Sequence, residues 1–170
     1  MSANPPAQLG PSLATLFREL VSGPPESESY MLNPGDGGLL RSIDRITWEA
    51  AAEPGPDRGA AIAAHVDHIR YGISLFNRWA GGESNPFATA DWAASWKATV
   101  ASDEEWQRLR EELTRELRAW TQSLEALESG GALHPVALKG VIASVAHLAY
   151  HLGAIRQIDA RTRGPRQAGS

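Results

Sequence analysis

Between Trp106 and Leu127 the apolar residues Trp106, Leu109, Leu113, Leu117, Trp120, Leu124 and Leu127 recur at intervals of three and four. Only an α-helix gathers that spacing onto one face. Ser102 and Glu105 stand where a helix start places a capping box, so the first turn has its own acceptors. Glu104/Arg108 and Glu111/Arg115, each four apart, mark the opposite face as solvated. A helix with one such stripe must bury it against other elements, and that requirement sets the fold class.

Pro and Gly cut the rest of the chain into blocks of the same kind. SLATLFRELVS (12–22) puts Leu13, Leu16, Phe17 and Leu20 on one face and stops at Gly23-Pro24-Pro25. GGLLRSIDRITWEAAAE (37–53) reads as a second helix of about four turns, closed by PGPDRG at 54–59. Residues 60–80 carry Ile62, His65, Ile69, Gly72, Phe76 and Trp79 at helical spacing, and GGESNP (81–86) ends them. The stretch 87–101 is irregular, with two helical turns expected within Asp91 to Thr99. SGG at 129–131 ends the helix begun at Ser102, and Pro135 opens an apolar block that runs to 160. Nowhere is there a sustained alternation of period two. The expected fold is all-α, a four-helix bundle with an additional short N-terminal helix. Residues 1–11 are expected to be disordered, 12–160 to form one domain, and 161–170, with Arg161, Arg163 and Arg166, to be a flexible basic tail.

Composition narrows the function classes. With 170 residues, one core is the default. No cysteine is present, which excludes disulfides, thiolate metal sites and a cysteine nucleophile. Any metal must be held by nitrogen or oxygen. A net charge of -4 argues against nucleic acid as a partner. No uninterrupted apolar run approaches about 18 residues, so no membrane span is expected. The N-terminus lacks the pattern of a secretory leader, which gives a cytoplasmic expectation.

Two histidine pairs interrupt the apolar blocks, His65/His68 in AAHVDHIR and His147/His151 in AHLAYHLG. On a helix His147 and His151 differ by only about 40°, so their rings converge. Gly140, Ala143, Ser144 and Ala154 leave room on that side. His65 lies at the centre of its apolar arc and His68 at the edge, which makes His65 the inward candidate and His68 the reserve. Three neutral imidazoles from two helices suit one divalent ion, Zn, Ni or Fe, and leave positions open for water or substrate. The competing reading is a set of hydrogen-bonded core histidines without metal. Trp106 and Trp120 read as core. Trp92 and Trp96 read as loop packing or as the mouth of a pocket, and His134 as a loop or capping residue.

HVDH at 65–68, followed about 80 residues later by HLAYHLGAIRQI at 147–158, resembles the DinB/YfiT-like superfamily. The resemblance implies a four-helix bundle with a divalent metal held by a histidine of an early helix and an H-x-x-x-H pair of the last. Carried over, the ligands are His65, His147 and His151, with His68 competing for the first place. The resemblance further implies a metal-dependent enzyme, since members include low-molecular-weight thiol transferases, thiol-dependent isomerases and a domain of ergothioneine synthases. Many other members carry only a general hydrolase label.

Other chemistries lack their motifs: H-E-x-x-H, G-x-S-x-G, a phosphate loop and a dinucleotide fingerprint are all absent. Asp67 and Asp159 neighbour the histidines in sequence without an assigned role. Arg outnumbers Lys 14 to 2, which suits a GC-rich bacterial genome and a mycothiol-type thiol as small-molecule partner. The alternative function is a non-catalytic, metal-stabilised helical module, with a second copy of the chain as candidate partner.

Overall fold

A computed structural model describes residues 9–26, 28–127 and 134–165. Its elements are α1 (Leu9–Ser22), α2 (Gly38–Asp44), α3 (Trp48–Ala52), α4 (Ile62–Ala80), α5 (Trp92–Ser95), α6 (Asp103–Glu125) and α7 (Pro135–Ile158). Short 3-10 turns occupy Pro56–Arg58 and Ala160–Thr162. Among the described residues no strand is present, and Gly55 and Gly59 form one isolated bridge. Among the described residues the regular structure is all helical. The expectations for residues 1–8, for the Ser129-Gly130-Gly131 stop and for 166–170 lie outside the described residues.

The long helices pack in a ring: α6 and α7 each contact both α1 and α4. Leu113, Leu117, Trp120 and Leu124 of α6 are buried by this arrangement together with Phe17 of α1, Ile69 and Ile73 of α4, and Leu148 and Ile155 of α7. Trp106 and Trp120 are each 1% exposed, and both polar ends are satisfied. The Trp106 indole N–H donates to the Ile46 carbonyl at 3.0 Å, and that of Trp120 to the Ser144 hydroxyl at 2.9 Å.

Several boundaries follow the expected chemistry. The Ser102 hydroxyl accepts from Glu105 N, and the Glu105 carboxylate accepts from Ala101 N. Pro135 occupies the first helical position of α7 with His134 as its cap. After α1, Gly23 adopts φ +91, and its N–H closes on the Glu19 carbonyl at 2.8 Å.

Other boundaries differ. α1 begins at Leu9 rather than Ser12, because Pro11 falls in the first turn, where a missing N–H costs no hydrogen bond. The four-turn helix expected over 37–53 is instead two helices, α2 and α3, in which Thr47 caps α3 by accepting from Ala50 N. The break lets Ile46 bury its side chain and offer its carbonyl to Trp106. Within 91–99 only the single turn α5 forms, started by the Asp91 carboxylate accepting from Ala94 N.

Residues 161–165, expected to belong to a flexible tail, lie against the body. Thr162 is 1% exposed, its carbonyl accepts from the Ser42 hydroxyl, and the Pro165 carbonyl accepts from the Asn33 amide. By length and composition alone α7 is long and apolar enough to cross a membrane, as core helices of globular folds also are. Its buried residues nevertheless include Ser144 and His151, and it packs on α1 and α4.

Candidate metal centre

α4 and α7 meet along a seam that carries all four helical histidines. From α4 come His65 and His68, each 7% exposed; from α7 come His147, which is half-buried, and His151, which is 1% exposed. One ring nitrogen from each of His68, His147 and His151 can be chosen so that all lie within 4.8 Å of one another. These side chains are close enough to hold a metal ion.

The donor set passes a simple test of fit. His147 Nε2 and His151 Nε2 are 2.9 Å apart, within reach of one ion at the usual metal–nitrogen length of about 2.0–2.1 Å. The His68 ring centroid is 5.1 Å from that of His147 and 5.1 Å from that of His151. The three rings therefore surround one small volume.

His65 and His68 take different places at the seam, and it is His68 whose ring joins the converging nitrogens. His65 stands outside the set of three and meets His151 from the other side, Nδ1 to Nδ1 at 2.9 Å. α4 packs more extensively on α6 than on α7, so the centre of its apolar arc faces the core. The seam with α7 falls at the flank, where His68 stands. Both α4 histidines are thus at the site, one among the converging nitrogens and one behind them.

Burial governs the charge of the cluster. Desolvation, followed by the neighbouring His147 and His65, pushes His68 down to about 4, with Asp67 opposing the shift. Desolvation, followed by His147, His65 and His68, pushes His151 down to about 3. Burial also lowers His65 and His147. Neutral rings are the form in which imidazole binds a metal.

The segment around α5 covers the cluster. The Trp96 indole stacks on the His68 ring, and Trp92 approaches the same ring at 5.6 Å. These indoles remain 37% and 39% exposed, so they both pack on the site and border it. The backbone N–H of Asp91 donates to the Tyr71 hydroxyl at 2.9 Å, which ties the start of the segment to α4. Gly72 lies beneath the site, where an added Cβ would meet the His147 ring at 3.6 Å.

Each neighbouring acid has an arginine as its hydrogen-bond partner rather than a histidine of the cluster. Asp67 is held by Arg70 at 2.7 Å, and Asp159 is engaged by Arg161 beyond the end of α7. Sequence reasoning missed Ser95. Its hydroxyl lies 2.8 Å from His68 Nδ1 and is 4% exposed as a residue, but a serine in an irregular stretch carries no periodic signal. No protein-family model, curated protein or solved structure matches this chain.

Proposed function

We propose that this chain is a DinB/YfiT-like metal-dependent enzyme on a four-helix bundle, binding one divalent ion (Zn, Ni or Fe) through His68, His147 and His151. The observation that carries the reading is the convergence of those nitrogens within 4.8 Å at a helix seam. The family resemblance rests on the histidine motifs themselves. A divalent ion held there supplies Lewis acidity, lowering the pKa of a water or of a low-molecular-weight thiol. The protein residues hold three neutral nitrogens in place, and Trp92 and Trp96 exclude water from the His68 side. With three protein donors, a position is left for substrate, as catalytic sites require. A thiol S-transferase or a hydrolase, acting in the cytoplasm on a small molecule, fits this arrangement.

The second reading is a non-catalytic metal-stabilised module. It is favoured by Val136, Ile142 and Tyr150 of α7, which are 69%, 48% and 67% exposed and offer an apolar face to a second copy.

Elemental analysis of protein purified without a metal-affinity tag tests the centre. About one divalent ion per chain is expected in the wild type and none in His147→Ala. Equal content in both removes the ligand set. Turnover of an electrophile with mycothiol, bacillithiol or glutathione then separates the transferase from the hydrolase and the module.

A further inference from the structure

Each imidazole that binds a metal must turn a lone pair toward it, so its hydrogen sits on the other nitrogen. Whatever receives that hydrogen decides which way the ring faces. Two residues outside the three-nitrogen set stand at those rear positions.

The first is Ser95. Its hydroxyl has one hydrogen, and the Trp92 carbonyl, which can only accept, stands ready for it at 2.8 Å. Toward His68 Nδ1, at 2.8 Å, it is therefore left as an acceptor. With the hydroxyl hydrogen on the Trp92 carbonyl, His68 carries its own hydrogen on Nδ1, which leaves Nε2 as the lone pair. Ser95 lies on α5, whose first turn is fixed by Asp91, so the acceptor is held rather than mobile.

The second is His65. His151 Nε2 faces His147 Nε2 at 2.9 Å, so the nitrogen at the rear of His151 is Nδ1, and the atom behind it is His65 Nδ1 at 2.9 Å. If His151 keeps its Nε2 lone pair, its Nδ1–H donates to His65 and His65 carries its own hydrogen on Nε2. His147 then supplies the hydrogen between the two Nε2 atoms, and when an ion binds there that hydrogen leaves Nε2 to solvent while Nδ1 takes one up, so the ring stays neutral. The reverse direction fills the same contacts but puts the His151 hydrogen on Nε2, facing the site, so the protonated nitrogen of His151 separates the two.

We propose that His65 and Ser95 are positioning residues, holding His151 and His68 with Nε2 turned to a common point. The inference rests on the reading of His68, His147 and His151 as the ligands. It assigns His65 a role behind the centre and gives the loop residue Ser95 a part in it.

Ring ¹⁵N shifts of the metal-free wild type test the tautomers directly: His68 and His151 are expected as Nδ1–H and His65 as Nε2–H. Finding His68 or His151 as Nε2–H overturns the proposal. Zinc affinity, read by competition with a chromophoric chelator, is expected to fall about 10- to 100-fold in His65→Ala and in Ser95→Ala. Stoichiometry and the Co²⁺ ligand-field bands should be retained, and Ser95→Thr, which keeps a hydroxyl, and His65→Gln, which keeps an acceptor, should recover most of the affinity. Unchanged affinity in both alanine variants overturns the proposal, as does a Co²⁺ spectrum showing one nitrogen fewer in His65→Ala. Wild-type protein that takes up no zinc or cobalt defeats the ligand reading instead, and the ¹⁵N result then judges the ring orientations without any metal.

Discussion

The Trp96 indole lies nearly flat on the His68 imidazole, with centroids 4.2 Å apart and planes 24° from parallel. A fluorophore in that position reports on the ring beneath it. Titration with Co²⁺ or Ni²⁺ should quench tryptophan emission to saturation at one ion per chain. Trp96→Phe should lose most of that quenching while binding the same amount of metal. Equal quenching in the variant would place the ion away from His68.

Acid should weaken the metal-free protein through the same cluster. In the unfolded chain His68 and His151 protonate near 6.5, whereas in the fold they resist protonation down to about 4 and about 3. As pH falls below 6.5 the unfolded state binds protons that the folded state refuses, so stability is full above that value and declines toward 4 and 3. Urea midpoints at pH 7.5, 6 and 5 should decrease steadily. The decrease should be smaller in the double variant His68→Gln/His151→Gln; equal slopes would mean that these rings do not govern it.

An ion bound only by the fold should raise its melting temperature. At a free concentration about 100 times the dissociation constant, the gain is about 2.7 kcal/mol. Zinc should shift the wild-type transition upward and leave that of His151→Ala unmoved. An equal shift in both would indicate binding elsewhere.

The Arg156–Asp36 pair, 2.7 Å apart with side chains 15% and 4% exposed, should matter far more than the exposed Arg18–Glu125 pair. Arg156→Ala strands a buried carboxylate and should cost about 3 kcal/mol in denaturant unfolding. Arg18→Ala should cost less than about 1 kcal/mol.

Leu117 is wholly buried where α6 faces the other long helices, so Leu117→Ala should destabilise by about 2–5 kcal/mol. A loss under about 1 kcal/mol would indicate that this stripe is not the packed core.

The long helices were legible because burial leaves a three-and-four rhythm, clearest from Trp106 to Leu124, and because Ser102, Gly23 and Pro135 have one evident use each. The break between α2 and α3 was not legible. It depends on Trp106, 60 residues away in sequence, claiming the Ile46 carbonyl. At the site, the i,i+4 spacing brought His147 and His151 together on paper as in space, since that geometry belongs to one helix. Choosing between His65 and His68 needs the direction of a neighbouring helix, which a single stripe does not contain. Ser95 depends on the course of an irregular segment, for which no periodicity exists.

The stitches between residues 33–45 and 162–165 also bear on the order of synthesis. The Asn33 amide, the Ser42 hydroxyl and the Arg45 guanidinium all find acceptors on the backbone of Pro165, Thr162 and Arg163. A nascent chain emerging from the ribosome can assemble α1 to α6 early, yet residues 33–45 gain these partners only after residues 162–165 have cleared the exit tunnel. Closure of this side of the molecule therefore waits on the segment that follows α7 and cannot be templated by the N-terminal helices alone.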